Sequence, residues 1–130
     1  MDNERMALCQ YRLEKAKEDF EVSKLNFKES FFKASINRSY YSIFHATRAL
    51  LALDSYDSKK HSGIIAYFNK NYIKTGKLDK KFSKIISKAS NIRNESDYND
   101  FFIASKDEAF EQLKDAEYFI DGIEKFIKEI

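Results

Sequence analysis

Along most of the chain the apolar positions recur in steps of four and three residues, the period of an α-helix with one buried stripe. From about Asn3 to Phe27 the stripe is Cys9, Leu13, Ala16, Phe20, Ser23 and Phe27. Ser30 stands where its hydroxyl can cap a second helix running to about Leu53, with Phe32, Ile36, Tyr40, Ile43, Phe44, Thr47, Leu50 and Leu51 on one broad face. A polar loop from Asp54 to Lys60 leads into a short helix near His61 to Tyr72, carrying Ile64, Ile65, Tyr67 and Phe68, which Thr75 and Gly76 end with a turn. A fourth helix, roughly Asp79 to Asn94, shows Phe82, Ile85, Ile86, Ala89 and Ile92. Ser105 and Glu108 then form a capping box that opens the last helix, whose seam is Ala109, Leu113, Ala116, Ile120, Ile123, Ile127 and Ile130. The pattern predicts an all-α fold, an up-and-down bundle of about five helices.

Composition agrees with that reading. The 130 residues match the common size of one domain, so a single helical domain over 1–130 is expected. Hydrophobic residues make up 43%, with 12 Phe and 8 Tyr, so the apolar payload is mainly aromatic and disorder is excluded. The absence of proline and the presence of only three glycines let long helices run unbroken. Cys9 has no partner for an internal disulfide, and one cysteine with two histidines cannot assemble a zinc site. No metal and no cofactor are expected, and a reducing, cytoplasmic home follows. No apolar run approaches the roughly 18 residues that a membrane span needs, so a soluble protein without membrane contact is expected.

The net charge of +2 hides a strong segregation. Residues 1–58 carry nine basic and nine acidic side chains, residues 59–93 carry ten basic against Asp79 alone, and residues 94–130 carry four basic against eleven acidic. A basic third in a nearly neutral chain is either a footprint for phosphates, a face for an acidic partner helix, or a solvated lysine surface.

Arg93 is the most informative single residue. At 100° per residue it falls within the apolar sector of the fourth helix, which points a guanidinium inward and obliges it to find a partner. Asp97, four residues on, can accept its fork if the helix persists that far. This is either a structural ion pair or an anion contact in a cleft where the helix stops. On the second helix Arg38, Tyr41, His45 and Arg48 recur at three and four residues, with Asn37 beside them and Ala34, Ala49 and Ala52 on the same side. Such a narrow polar face is an internal hydrogen-bond network, a dimer seam, or a contact for a nucleotide or RNA backbone. His61, at a helix start beside Lys59 and Lys60, is a candidate anion contact. There is no glycine-rich phosphate loop, no His-Glu-x-x-His helix and no Gly-x-Ser-x-Gly elbow, which leaves metal-free acid-base or phosphate-contact chemistry.

Together these segments resemble the HEPN family in its small stand-alone prokaryotic branch. Residues 34–46, Ala-Ser-Ile-Asn-Arg-Ser-Tyr-Tyr-Ser-Ile-Phe-His-Ala, followed by Arg48 to Leu51, resemble the family's second helix; Lys60 to Ile65 with Phe68 are similar to its third, and Arg93-Asn94-Glu95-Ser96-Asp97-Tyr98 to the end of its fourth. The resemblance implies a helical bundle that commonly forms homodimers, a minimal nucleotidyltransferase as genetic neighbour and partner, and a toxin-antitoxin or defence setting. Many HEPN proteins are metal-independent RNases whose motif is an arginine, four to six variable residues and a histidine; there histidine moves the proton and arginine stabilises the phosphorane charge. Arg93 has its counterpart here, and Tyr98 stands in the fifth position after it, where the shortest spacing would place histidine. By analogy with the related toxins, in which the transferase modifies a tyrosine beside the motif, Tyr98 is also a candidate acceptor.

The resulting expectation is a dimeric, non-enzymatic or weakly active HEPN protein that binds RNA or nucleotide, and a cognate nucleotidyltransferase, through a cleft holding Arg93, Asp97 and Tyr98. Asn37, Arg38, Tyr41, His45 and His61 are the further candidate binding residues. The alternatives are a metal-independent endoribonuclease drawing its acid-base group from His45 or His61, and a purely structural dimerisation module.

Overall fold

A computed structural model describes residues 2–130 of the chain, and among these every regular element is helical: α1 (Asn3–Lys28), α2 (Phe32–Ala52), α3 (His61–Phe68), α4 (Lys80–Tyr98) and α5 (Lys106–Glu129), with one π-helical turn, Asn69–Ile73, continuing α3. The all-α bundle of five helices expected from the stripes is what the chain forms. Helix α2 is its axis, packing against α1, α5, α4 and α3. The stripe residues Cys9, Leu13, Ile43, Leu50, Ile64, Ile86, Ala116 and Ile123 meet in one continuous core, joined by Phe119, which the strict four-three seam had skipped. Two glycine positions are tight, the first of them against that core. Gly122 lies so close to Phe82 that an added Cβ would sit 2.4 Å from the ring, and Gly63 is similarly tight against Ser58.

Helices α1 and α2 approach closely because the facing residues are small. Ser23 Oγ donates to the Ser35 carbonyl at 2.7 Å and lies 2.7 Å from Ser39 Oγ, while Ser35 Oγ donates back to the Ser23 carbonyl at 3.0 Å. These three buried hydroxyls satisfy one another and tie the two helices without large side chains between them.

Helix boundaries depart from the sequence reading at three places. Ser30 does not cap α2: it sits in the turn with φ of +65°, and the capping position falls to Phe31, whose side chain makes no cap bond. The third helix changes register, because Lys74 N–H reaches back five residues to the Asn69 carbonyl. The turn ends at Gly76 (φ +78°), a backbone angle that favours glycine. Helix α4 continues past Asn94 to Tyr98, which puts Asp97 one turn beyond Arg93 on the same helix. At its other end Asp79 accepts from Lys81 N–H, and α5 opens with the expected capping box of Ser105 and Glu108. No helix among the described residues is long and apolar enough to cross a membrane.

Candidate functional site

Two polar clusters flank α2, and the sequence-predicted residues divide between them. The first lies toward α1. Asp19 accepts from Arg38 at 3.2 Å and lies 3.5 Å from His45 Nε2, so this carboxylate is the hub that holds both side chains. Burial, followed by the charges of Arg48, Lys15 and Arg38, outweighs Asp19 and lowers the His45 pKa below its usual value, so the ring is neutral at pH 7. His45 Nδ1 is buried without a hydrogen-bond partner. Arg38 also donates to Asn37 Oδ1 at 2.8 and 3.1 Å and stacks over the Tyr41 ring at 4.9 Å. Asp19 was not singled out from the sequence. It stands on α1 close to Glu18 and Glu21, where nothing local distinguishes it from these acidic neighbours, and only the tertiary approach of α2 gives it a role.

The second cluster gathers residues from α2, α3 and α4. The Arg93 guanidinium lies over the rings of Tyr40 and Tyr41, 5.0 and 5.4 Å from their centroids. One terminal nitrogen donates to Tyr41 Oη at 2.8 Å and the other to Asn94 Oδ1 at 2.9 Å. Its Nε lies 3.3 Å from Asp97 Oδ2 but at an angle that makes no hydrogen bond, so Asp97 contributes charge more than geometry. The inward pointing predicted for Arg93 is thus what the chain does: its side chain is only 14% exposed. Since a guanidinium carries five N–H groups, one on each terminal nitrogen is left over.

His61 completes this second cluster. It stands at the start of α3, stacked on Phe44 with ring centroids 4.0 Å apart, and its Nδ1 lies 2.8 Å from Tyr40 Oη. Burial raises the Tyr40 pKa to about 12, with Tyr41 adding to the rise against the pull of Arg93, so the phenol keeps its proton. Burial, then the positive charges of Arg93 and Arg48, lower the His61 pKa. A neutral imidazole anchored through Nδ1 leaves Nε2 as its free nitrogen. Tyr40, His61, Ser62, Ser90, Arg93 and Asn94 line a hollow of about 420 Å³. On the other side of Arg93, Asp97 reaches a second hollow of about 900 Å³ together with Asn37, Arg38 and the apolar side chains of Phe31 and Phe32.

Tyr98 is not drawn into either hollow. As the last residue of α4 it is 78% exposed, in company with Phe101 and Ile103 of the following connection. The lysine-rich third divides as well. Lys88 pairs with Glu111 of α5, and Lys77 and Lys81 lie over Tyr72 and Tyr118. Lys70, Lys74, Lys80 and Lys84 instead line a groove of about 770 Å³ along the π turn and α4, which shares Ala66 and Asn69 with the Arg93 hollow. Among the described residues no group of three or more His, Cys, Asp or Glu side chains is placed to hold a metal ion.

The HEPN domain pattern matches residues 9–126, spanning all five helices and every residue of both clusters. The chain belongs to the HEPN family. A UPF0332 protein of Thermotoga maritima is 31% identical to it over 128 residues, covering 98% of this chain and 97% of the relative. Two relatives from Methanocaldococcus jannaschii, both described as candidate toxins, are each 33% identical; they cover 91% and 88% of this chain, and the matched parts are 87% and 78% of the relatives. In this HEPN chain the second, third and fourth helices, whose residues carried the resemblance, are the three that build the Arg93 cluster.

Proposed function

We propose that this HEPN protein binds RNA or a nucleotide phosphate at the Arg93 hollow, acting as a homodimer with a cognate minimal nucleotidyltransferase in a toxin-antitoxin setting. The observation that carries the reading is the state of Arg93. Its guanidinium is held in place by two tyrosine rings and two hydrogen bonds, which leave an N–H on each terminal nitrogen without a partner, and the residue lines the hollow. Guanidinium N–H groups suit the oxygens of a phosphate, and preorganisation of the side chain removes most of its ordering cost on binding. Ser62, Ser90 and Asn94 add neutral hydrogen-bonding groups, and the adjoining lysine groove supplies the long-range attraction. The candidate-toxin descriptions of the two archaeal relatives support the setting.

One observation favours a second reading, a metal-independent endoribonuclease. His61 shares the hollow with Arg93 and presents a free Nε2, whereas His45 is turned to Asp19 in the other cluster. Of the two histidines, His61 is the one placed to move a proton beside a phosphate held by Arg93.

The test is binding and cleavage of a single-stranded RNA at low salt in EDTA, with Arg93→Ala and Arg93→Lys beside the unaltered protein. Binding that falls at least tenfold in Arg93→Ala, with lysine restoring it only in part, is the expected outcome, since lysine keeps the charge and loses the fork. Binding that survives Arg93→Ala and disappears at moderate salt would reduce the interaction to the lysine groove. Cleavage abolished by both Arg93→Ala and His61→Gln would make the second reading the correct one. Sedimentation of the unaltered protein checks the dimer.

A further inference from the structure

His61 lines a second hollow besides the one it shares with Arg93. About 610 Å³ in volume, this hollow is bounded by Phe44, Arg48, Asp57, Ser58, Lys59 and His61. Behind it lies a charge cluster that the phosphate reading has not used. Arg48 donates to Asp57 through Nε at 3.3 Å and through Nη2 at 2.8 Å, and Arg12 donates to the same carboxylate at 3.2 Å. A further N–H of Arg12 goes to the Arg48 carbonyl at 3.2 Å, which fixes the two guanidiniums side by side. One aspartate thus serves two arginines, and the neighbouring Lys59 has no acidic partner among the described residues. Three cations face one anion, in a place where Arg12 is almost fully buried and solvent screens its charge weakly.

We propose that Arg48 and Lys59, with the buried charge of Arg12 behind them, form a second phosphate subsite, across His61 from Arg93, so that the natural ligand is an oligonucleotide with at least two consecutive phosphates and not a mononucleotide. This rests on the Arg93 hollow being a phosphate site. Pinning the loop to α2 needs only one arginine on Asp57; the surplus charge, open to solvent at Arg48 and Lys59, is what an anion would neutralise. Burial lowers the His61 pKa, and Arg93 and then Arg48 lower it further, so cations from both hollows act on the same imidazole. The two centres are therefore neighbours, separated by one ring and its stacking partner Phe44. Asp57 occupies part of the cradle itself: burial would raise its pKa, but the hydrogen bonds from Arg48 and the Ser58 N–H, with the charges of both arginines, lower it instead. Its carboxylate therefore stays charged and competes with an incoming phosphate.

The experiment compares two probes, adenosine 5′-monophosphate and a 5′-phosphorylated adenylyl dinucleotide, by titration calorimetry at low salt in EDTA. The unaltered protein is expected to prefer the dinucleotide by at least tenfold. Arg48→Gln and Lys59→Gln should each weaken the dinucleotide by about tenfold, the loss of one charge-assisted contact, while leaving the monophosphate within about twofold. Asp57→Asn keeps an acceptor for the arginines but removes the competing charge, and should tighten the dinucleotide several-fold. Lys59 lies on the surface, so its variant reads the subsite even if Arg48→Gln disturbs the fold. Equal affinity for the two probes, equal weakening of both by the variants, or weaker dinucleotide binding in Asp57→Asn overturns the second subsite while leaving the Arg93 reading in place. No binding of either probe overturns the Arg93 reading and this inference with it.

Discussion

The two faces of α2 carry nearly the same chemical groups and put them to different ends. Toward α1 there are an arginine, a histidine, a tyrosine face and an acid; toward α3 and α4 there are an arginine, a histidine, two tyrosine faces and an acid. In the first, Asp19 sits between Arg38 and His45, only 17% exposed, and takes up the positive charge inside the helix pair. In the second, Asp97 stands on the outer edge and meets Arg93 at a poor angle, so the guanidinium rests on aromatic rings and a phenol. The Arg38 charge is thus met by a carboxylate, whereas Arg93 has donors left over. What separates the two clusters is the location of the acid.

The largest effect that tests this contrast is on stability. Asp19→Ala would leave Arg38 and a mostly buried His45 without their shared partner, and should destabilise the fold by about 2–3 kcal/mol. Chemical denaturation measures it. Phosphate binding by the folded protein should not change. Asp97→Ala, with its looser contact, should cost well under half as much and should tighten binding by unmasking Arg93. If Asp97→Ala proved as destabilising as Asp19→Ala, the two clusters would be equivalent structural networks, and the open character of the second would be lost.

A smaller effect comes from the histidines. Both have pKa values lowered by burial, so in each case the unfolded chain takes up a proton more readily than the folded one. Stability from these groups is complete above the unfolded value near 6.5 and is lost as pH falls from there through the lower folded values. His45→Gln and His61→Gln should each flatten the decline in stability between pH 7 and 5. The two part company on binding. A bound phosphate beside His61 favours its charged form, so affinity should rise as pH falls over the same range, and His61→Gln should abolish that rise while His45→Gln preserves it. A pH-independent affinity would place the phosphate away from His61.

The sequence carried the fold because its apolar stripes repeat with helical period over all five elements, and the core follows those stripes with Phe119 added. Inward Arg93 was legible for the same reason, as a charge inside an apolar sector. The α2 stripe was legible as a polar face but not as two separate clusters, since Arg38, Tyr41, His45 and Arg48 share a helix yet turn to different neighbours: Asp19 of α1, Arg93 of α4 and Asp57 of the loop. Asp19 and Asp57 escaped notice because an isolated aspartate in a helix or a polar loop has no pattern; its partners lie 19 or more positions away for Asp19, and 9 and 45 for Asp57. Ser30 misled because serine is both a good cap and a tolerable turn residue, and here it takes the turn, with φ of +65°.

The smallest expected effect concerns Tyr98, the one candidate that belongs to neither face. At 78% exposure, with no hydrogen bond and no place in either hollow, its ring contributes little to the fold. Tyr98→Ala should change stability by no more than about 0.5 kcal/mol. It should also leave the affinity of the isolated protein for phosphate probes unchanged, because the groups that receive a phosphate in this reading are Arg93, His61 and their neighbours one turn back along α4 and across on α3. Any role for this phenol must therefore show as a change in what another protein does to it or binds through it, and mass analysis of the chain co-purified with the proposed transferase is the measurement that reads it. A loss of phosphate affinity in Tyr98→Ala would mean that the tyrosine swings into the hollow when ligand arrives, and the sharp division drawn here between the ring-backed arginine and the exposed end of its helix would fail.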